Sequence, residues 1–296
     1  MLPVAEADLP VDVSVRFGCV PSELHGVKKR GAAFDAAEGQ VLFRVPNVGQ
    51  FLVQHGREVV IERQPGISDS EIRVFVMNTV FAALLRQRGL LALSASAVRV
   101  NDSAVLLLGG SATGKSTLAA QFRQQGIPVL ADDICPIVIR PGLGPVLLPG
   151  FPVIRLWQDA ANHFGFDIAE LSRPRACLPR YEVPNKLPCD DHWPVAGMYL
   201  LTDNCSNQPE TITSLSAPGE KLPTLLRLTK GRVTTCETEE RRQHLKICAA
   251  LAGMVPVFQL HRHGGHATLS ATARLLRLHM ESHCRSSGKS QQRVAA

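Results

Sequence analysis

The run Gly109-Gly-Ser-Ala-Thr-Gly-Lys-Ser116 sets two glycines five positions apart, directly ahead of a lysine and a hydroxyl. Glycines at these positions let successive backbone N–H groups converge on an anion without interference from a Cβ. A helix opening behind them adds partial positive charge. In such an arrangement the lysine reaches the β- and γ-phosphates and the hydroxyl ligates Mg²⁺. The spacing predicts a nucleoside triphosphate site, ATP with Mg²⁺, on Gly109, Gly110, Ser111, Ala112, Thr113, Gly114, Lys115, Ser116 and Thr117.

A second candidate, Asp132-Asp133, follows Ser116 by about fifteen residues, enough for one helix and a short strand. Paired carboxylates at a strand's end beside a phosphate loop offer two roles. One sits on the Mg²⁺ side and the other takes a proton from an attacking hydroxyl. The plain alternative is an Asp-Asp turn, and the short spacing opposes it.

These residues need particular elements to hold them. Ala104–Leu108 is a continuous apolar run suited to a strand buried on both faces, and Thr117–Gln125 carries Leu118, Ala119 and Phe122 on one helical side. Gly126 ends that helix, and Ile127–Ala131 is a short strand delivering the two carboxylates. Upstream, Ser68-Asp-Ser-Glu71 forms a capping box for a helix that closes at Gly89. Leu90–Val100 then reads as one strand, turning at Asn101-Asp-Ser into Ala104–Leu108 as a hairpin.

With these elements in view, Arg88–Val98, the GGSATGKSTLAA loop and GIPVLADD together resemble the catalytic region of the HPr kinase/phosphorylase family. The likeness extends to the HPr kinase-like proteins of bacterial peptide-natural-product clusters, lasso-peptide tailoring kinases among them. Pro149–Asp159 and Val255–Leu260 resemble it too. The similarity is clear over about 68–165, thinner to about 278 and weakest before 60. It implies an α/β fold with a P-loop core of the phosphoenolpyruvate carboxykinase/HPr kinase type and transfer of a phosphoryl group to a serine hydroxyl. Carried over by position, Lys115 and Asp132 are catalytic, Asp132 as general base, while Ser116 and Asp133 are on the metal side. Where the family has a histidine in the strand before the loop, this chain has Ser94. The glycine-rich second signature of true HPr kinases has no counterpart. Action on HPr, phosphorolysis and the hexamer are therefore not implied.

Composition sets outer bounds. The chain has 296 residues, 45% of them apolar, and a net charge of +6 that is spread rather than patched. It can bury a large core, and nucleic-acid binding would call for denser positive charge. No run of eighteen apolar residues occurs, and MLPVAEADLPVDV has no basic-then-apolar character, so the expectation is a cytoplasmic protein without a membrane partner. Eight cysteines without a CxxC pair predict reduced thiols. The triplet His261-Arg-His263-Gly-Gly-His266 invites a metal reading but has no cysteine or acid beside it, and reads as a polar loop.

Residues 1–66 read as a β-rich region, 67–283 as the kinase-like domain and 284–296 as a disordered tail. The β-rich region is either a sheet packed on the core or a substrate-recruiting surface. Val11–Phe17 has the alternation of a half-buried strand, and Leu156–Phe164 reads as a helix with Arg155 at its start, facing an anion or a surface partner. Residues 172–194 are proline-rich with Arg173, Arg175, Arg180 and Lys186 interspersed. This is either a solvated loop or one that closes over nucleotide or an acidic peptide.

The leading functional expectation is a Mg·ATP-dependent kinase acting on a serine of a peptide or small protein, with homo-oligomerisation left open. Alternatives are a small-molecule kinase on the same site and a nucleotide-binding regulatory module without catalysis. A GTPase switch lacks its guanine-reading string.

Overall fold

Tight turns fold residues 14–63 into a sheet. Asn47, His55 and Gly56 take left-handed φ values of 59°, 50° and 66°, which lets apolar strands double back within two or three residues. The computed structural model describes residues 12–175, 177–186, 192–203, 209–231, 234 and 238–291. Its first strands are β1 (Ser14–Phe17), β2 (Lys29–Arg30), β3 (Phe34–Ala37), β4 (Gln40–Val45), β5 (Gly49–Gln54) and β6 (Glu58–Arg63). They form one sheet in the order β1-β6-β5-β4-β3-β2. The expected half-buried strand at the start is corrected: all four residues of β1 are exposed, because it adds parallel to the outer edge of β6, beyond the core. Val11 lies outside the described residues.

Ser68 caps the next helix as its sequence demands, accepting from the Glu71 N–H while Glu71 reaches back to the cap. The helix is interrupted, however. α1 (Asp69–Phe75) passes through a π-helical turn, Val76–Val80, into α2 (Phe81–Gln87). One side, with Ile72, Val80, Ala83 and Leu84, packs on Val53, Val59 and Ile61 of the first sheet. The other, with Ala82 and Leu85, meets Ala92 and Ile134 further along the chain.

The expected strand 90–100 is two strands, β7 (Leu91–Leu93) and β8 (Ala95–Val100), which break at Ser94 and pair with different neighbours. Then come β9 (Ser103–Leu108), α3 (Lys115–Gln124), β10 (Val129–Ala131), β11 (Cys135–Arg140) and β12 (Gly144–Leu147). Next, β13 (Val153–Trp157) and the short α4 (Gln158–His163) correct the helix expected over 156–164. Ile154 and Leu156 join the apolar cluster of Val105 and Leu107, while Arg155 between them is buried against Asp133 and Glu182, so the side chains alternate with a period of two. The proline-rich segment also holds a strand, β14 (Arg180–Pro184), paired antiparallel with β13. Residues 187–191 lie outside the described ones.

The remainder is β15 (Trp193–Asp203), β16 (Thr211–Ser214), α5 (Pro218–Arg227), α6 (Thr238–Met254), β17 (Val257–Arg262) and α7 (Leu269–Gln291). The helix α7 carries on to Gln291 through much of the stretch read as a disordered tail. No proline interrupts it, and its one glycine there, Gly288, costs only about 1 kcal/mol.

Strands β7 to β12 and β15 to β17 make a mixed nine-stranded sheet in which β9, β15 and β17 run parallel. Helices cover both faces: α5 and α6 pack on Leu106 and Leu108, while α3, α4 and α7 pack on Val105 and Leu107. The architecture is therefore mixed α/β with helices on both sides of the main sheet. Among the described residues, no helix is long and apolar enough to cross a membrane.

Candidate active site

Parallel strands carry their C-terminal ends, and the loops beyond them, to the same edge of the sheet. Here β9 ends at Leu108 and runs into the glycine loop, and β17 ends at Arg262 directly beside it. Arg262 donates from Nη2 to the Thr113 carbonyl at 2.9 Å, bracing the loop from a strand about 150 residues away. Ala112 and Gly114 are left-handed, at φ 63° and 80°, and Gly114 caps α3. A Cβ on Gly114 would collide with the Arg262 guanidinium, and one on Gly109 with the Thr113 side chain.

The loop residues predicted from sequence stand close together but not all on one surface. Ser111, Ala112, Gly114, Lys115, Ser116 and Thr117 line a cavity of about 550 Å³. Gly109, Gly110 and Thr113 form the turn behind it, closed by the Thr113 hydroxyl donating to the Gly110 carbonyl at 3.0 Å. Lys115 is buried, its Nζ donating to that same carbonyl at 2.5 Å. Burial holds its pKa below the ordinary lysine range, helped by Lys230 and Arg180 and opposed by Asp132 and Asp133.

The two aspartates part company. Asp132 is buried and accepts from Ser96 Oγ (2.6 Å), Ser116 Oγ (2.9 Å) and the Arg155 N–H (3.0 Å). Asp133 takes a left-handed φ of 71°, a conformation that costs a non-glycine residue about 1–3 kcal/mol and turns its side chain onto the cavity wall. There it accepts from Lys230 Nζ (2.6 Å), Asn78 Nδ2 (3.0 Å) and Arg155 Nη1 (3.2 Å). Burial raises its pKa, but Lys230, Arg180 and Arg155 together outweigh this and hold it below the usual carboxylate range.

The Ser116–Asp132 pair supplies two hard oxygen donors under the loop. Mg²⁺ takes such donors when phosphate oxygens and water fill its remaining positions. The carboxylate tied to the loop hydroxyl is Asp132, and the one open to the cavity is Asp133.

Arg155 is not a surface cation. Its side chain is 8% exposed and lies between Asp133 and Glu182, and Glu182 also meets Arg73 at 3.2 Å. Deleting one member of a buried pair leaves an uncompensated charge, at a cost of about 3–5 kcal/mol. Ser94 lines the cavity at the β7–β8 break, its N–H donating to the Leu228 carbonyl. His266 lies on the wall beside Gly264 and Gly265, 3.2 Å from Asp159 and stacked on His163. Among the described residues, no three histidine, cysteine or acidic side chains converge as a metal cage. Cys135 is fully buried, and burial and then Asp132 and Asp133 push its thiol well up.

Sequence reasoning missed Asn78, Lys230 and Arg262. Only Arg262 had left a signal: it falls in phase with Phe258 and Leu260 on the apolar side of its strand, where a cation needs a partner.

No family model matches the sequence, and no curated protein matches it. Among solved structures, an HPr(Ser) kinase/phosphatase from Coxiella burnetii is similar at a TM-score of 0.34 and 14% identity. The match covers 67% of this chain and 96% of that one. At that TM-score the overlap assigns no chemistry to the residues described above.

Proposed function

We propose that the chain is a Mg·ATP-dependent kinase that passes the γ-phosphoryl group to a hydroxyl, that of a serine on a peptide or small protein. The observation that carries this reading is the division of the two carboxylates. Asp132 is bonded to the Ser116 hydroxyl beneath the glycine loop, and Asp133 stands one residue on in the cavity, among Lys230, Arg155 and Asn78.

The two acids take roles exchanged relative to the resemblance. Backbone N–H groups of the loop and the N-terminus of α3 hold the phosphates, and Lys115 reaches the β- and γ-oxygens. Ser116 and Asp132 would hold Mg²⁺, which supplies charge neutralisation on the phosphates when bound. Asp133 accepts the hydrogen bond of the incoming hydroxyl. The acceptor oxygen bonds to the γ-phosphorus, the bridge from that phosphorus to the β-phosphate oxygen breaks, and ADP departs. A carboxylate held this acidic orients the hydroxyl first and takes its proton late, once the new bond has drained charge from the oxygen. Lys230, Arg155 and Arg180 supply positive charge around the transferring group.

The test is transfer from γ-labelled ATP, with Mg²⁺, to serine peptides. Wild-type protein labels peptide, and Asp133→Asn keeps nucleotide binding while transfer falls about 10²- to 10³-fold. Label on a metabolite instead would change the acceptor class and leave the site standing. Nucleotide binding with neither transfer nor hydrolysis would contradict the proposal.

A further inference from the structure

Next to the nucleotide cavity lies a second one, of about 260 Å³. Val74, Phe75, Leu178 and Tyr181 give it an apolar body, and it shares Asn78, Arg155 and Arg180 with the first cavity. Two of those shared residues, Asn78 and Arg155, are the ones that hold the Asp133 carboxylate. A group seated in the second cavity is therefore separated from Asp133 by that carboxylate's own partners, Asn78 and Arg155, and no glycine-loop residue lines it.

The volume is below the roughly 300–1,000 Å³ of sites that take a whole small ligand, so it suits one part of a larger molecule, such as a side chain of a peptide. The charge is lopsided. Arg155, Arg175 and Arg180 line the cavity, and its one acid, Glu182, is already paired with Arg155 and Arg73. Arg175 lies over the Phe75 ring, 5.5 Å from its centroid, with no ion pair among the described residues. The Arg180 side chain likewise makes no hydrogen bond or ion pair among the described residues, and its Nε is buried without a partner. Cations placed this way beside an apolar hollow need an anion and an apolar group on one ligand.

We propose that this cavity is the acceptor subsite: it takes an acidic peptide segment, seating an apolar side chain against Phe75 and Leu178 and a carboxylate against Arg175 and Arg180, so that a neighbouring serine points at Asp133. The proposal rests on the phosphotransfer reading of the adjoining cavity, and it explains the proline- and arginine-rich composition around β14. That segment supplies the floor and the charge.

Fluorescently labelled serine peptides of three kinds test it, with the serine flanked by an apolar and an acidic residue, by an apolar and a basic one, or by neutral polar ones. Anisotropy with Mg·ATP present measures binding, and γ-labelled ATP measures transfer. The apolar–acidic set is expected to bind about tenfold tighter or better than the other two. Arg175→Glu is expected to abolish or invert the charge preference, and Leu178→Gln the apolar one, with Mg·ATP affinity unchanged in both. Equal binding of the three sets, or an unchanged ranking in Arg175→Glu, overturns the subsite. Ranked binding without any labelling leaves the subsite standing and sinks the kinase reading. Labelling that ignores the ranking sinks the subsite alone.

Discussion

The two large sheets of this protein solve different problems. In the first, apart from β1, strands pair with their neighbours in sequence, and its ion pairs, Arg16–Glu58 and Arg44–Asp35, each keep at least one partner a third exposed or more. In the second, β9 pairs with β15 and β15 with β17, across gaps of tens of residues. At one edge of that sheet, together with the separate β13–β14 ribbon, stand Lys115, Asp132, Arg155, Glu182 and Arg262, all buried. Burying so much charge costs stability unless every member is paired. A sheet does not need such a cluster in order to fold, as the first shows. The concentration of buried ions where the parallel strands of the second sheet meet the β13–β14 ribbon is therefore the mark of a site, and its absence from the first sheet is the control.

The widest separation between the two regions should come from Lys115→Ala, which is expected to cut phosphoryl transfer about 10³-fold or more. Arg44→Ala in the first sheet should leave transfer per folded molecule unchanged, and a matching loss there would erase the distinction. Phe51→Ala, at a fully buried position of β5, should cost about 3–5 kcal/mol in denaturant unfolding, with the same catalytic constants for the protein that stays folded.

A smaller effect concerns pH. Because burial holds Lys115 below the lysine range, its ammonium is lost before the ordinary value of about 10.4 is reached. The alkaline limb of kcat/KM for ATP should fall correspondingly early. The limb of kcat, where phosphates face the ammonium, should lie higher. The sign for stability is the reverse of a lysine that gains a partner: charge on Lys115 costs stability at neutral pH, and the cost is relieved as pH rises through the depressed pKa. Lys115→Met should accordingly unfold at higher denaturant at pH 7 while losing transfer. At the low end, Val15→Ser on the exposed β1 should move stability by no more than about 0.5 kcal/mol.

Legibility in the sequence divides along the same line. The unit from Ala104 to Asp133 is local, with strand, loop, helix and carboxylates within about thirty residues, so periodicity and spacing carry it. The capping box at Ser68 and the strands β4 to β6 were readable for the same reason. Lys230 and Asn78 are single polar residues whose meaning comes from a partner 97 and 55 positions away, and no local pattern encodes that. The ribbon of β13 and β14 was misread because Leu156 to Phe164 can be fitted to a helix, whereas the alternation Ile154-Arg-Leu-Trp157 was the better guide. Which of Asp132 and Asp133 meets the loop hydroxyl and which reaches the cavity wall was hidden altogether, since it depends on the left-handed turn at Asp133.

The most direct measurement is titration calorimetry of Mg·ATP into the wild-type protein, Asp132→Asn and Asp133→Asn. The wild type and Asp133→Asn should bind with similar affinity, while Asp132→Asn should bind weakly and lose the dependence on Mg²⁺. No heat with the wild type, or binding lost in Asp133→Asn and kept in Asp132→Asn, would contradict the account.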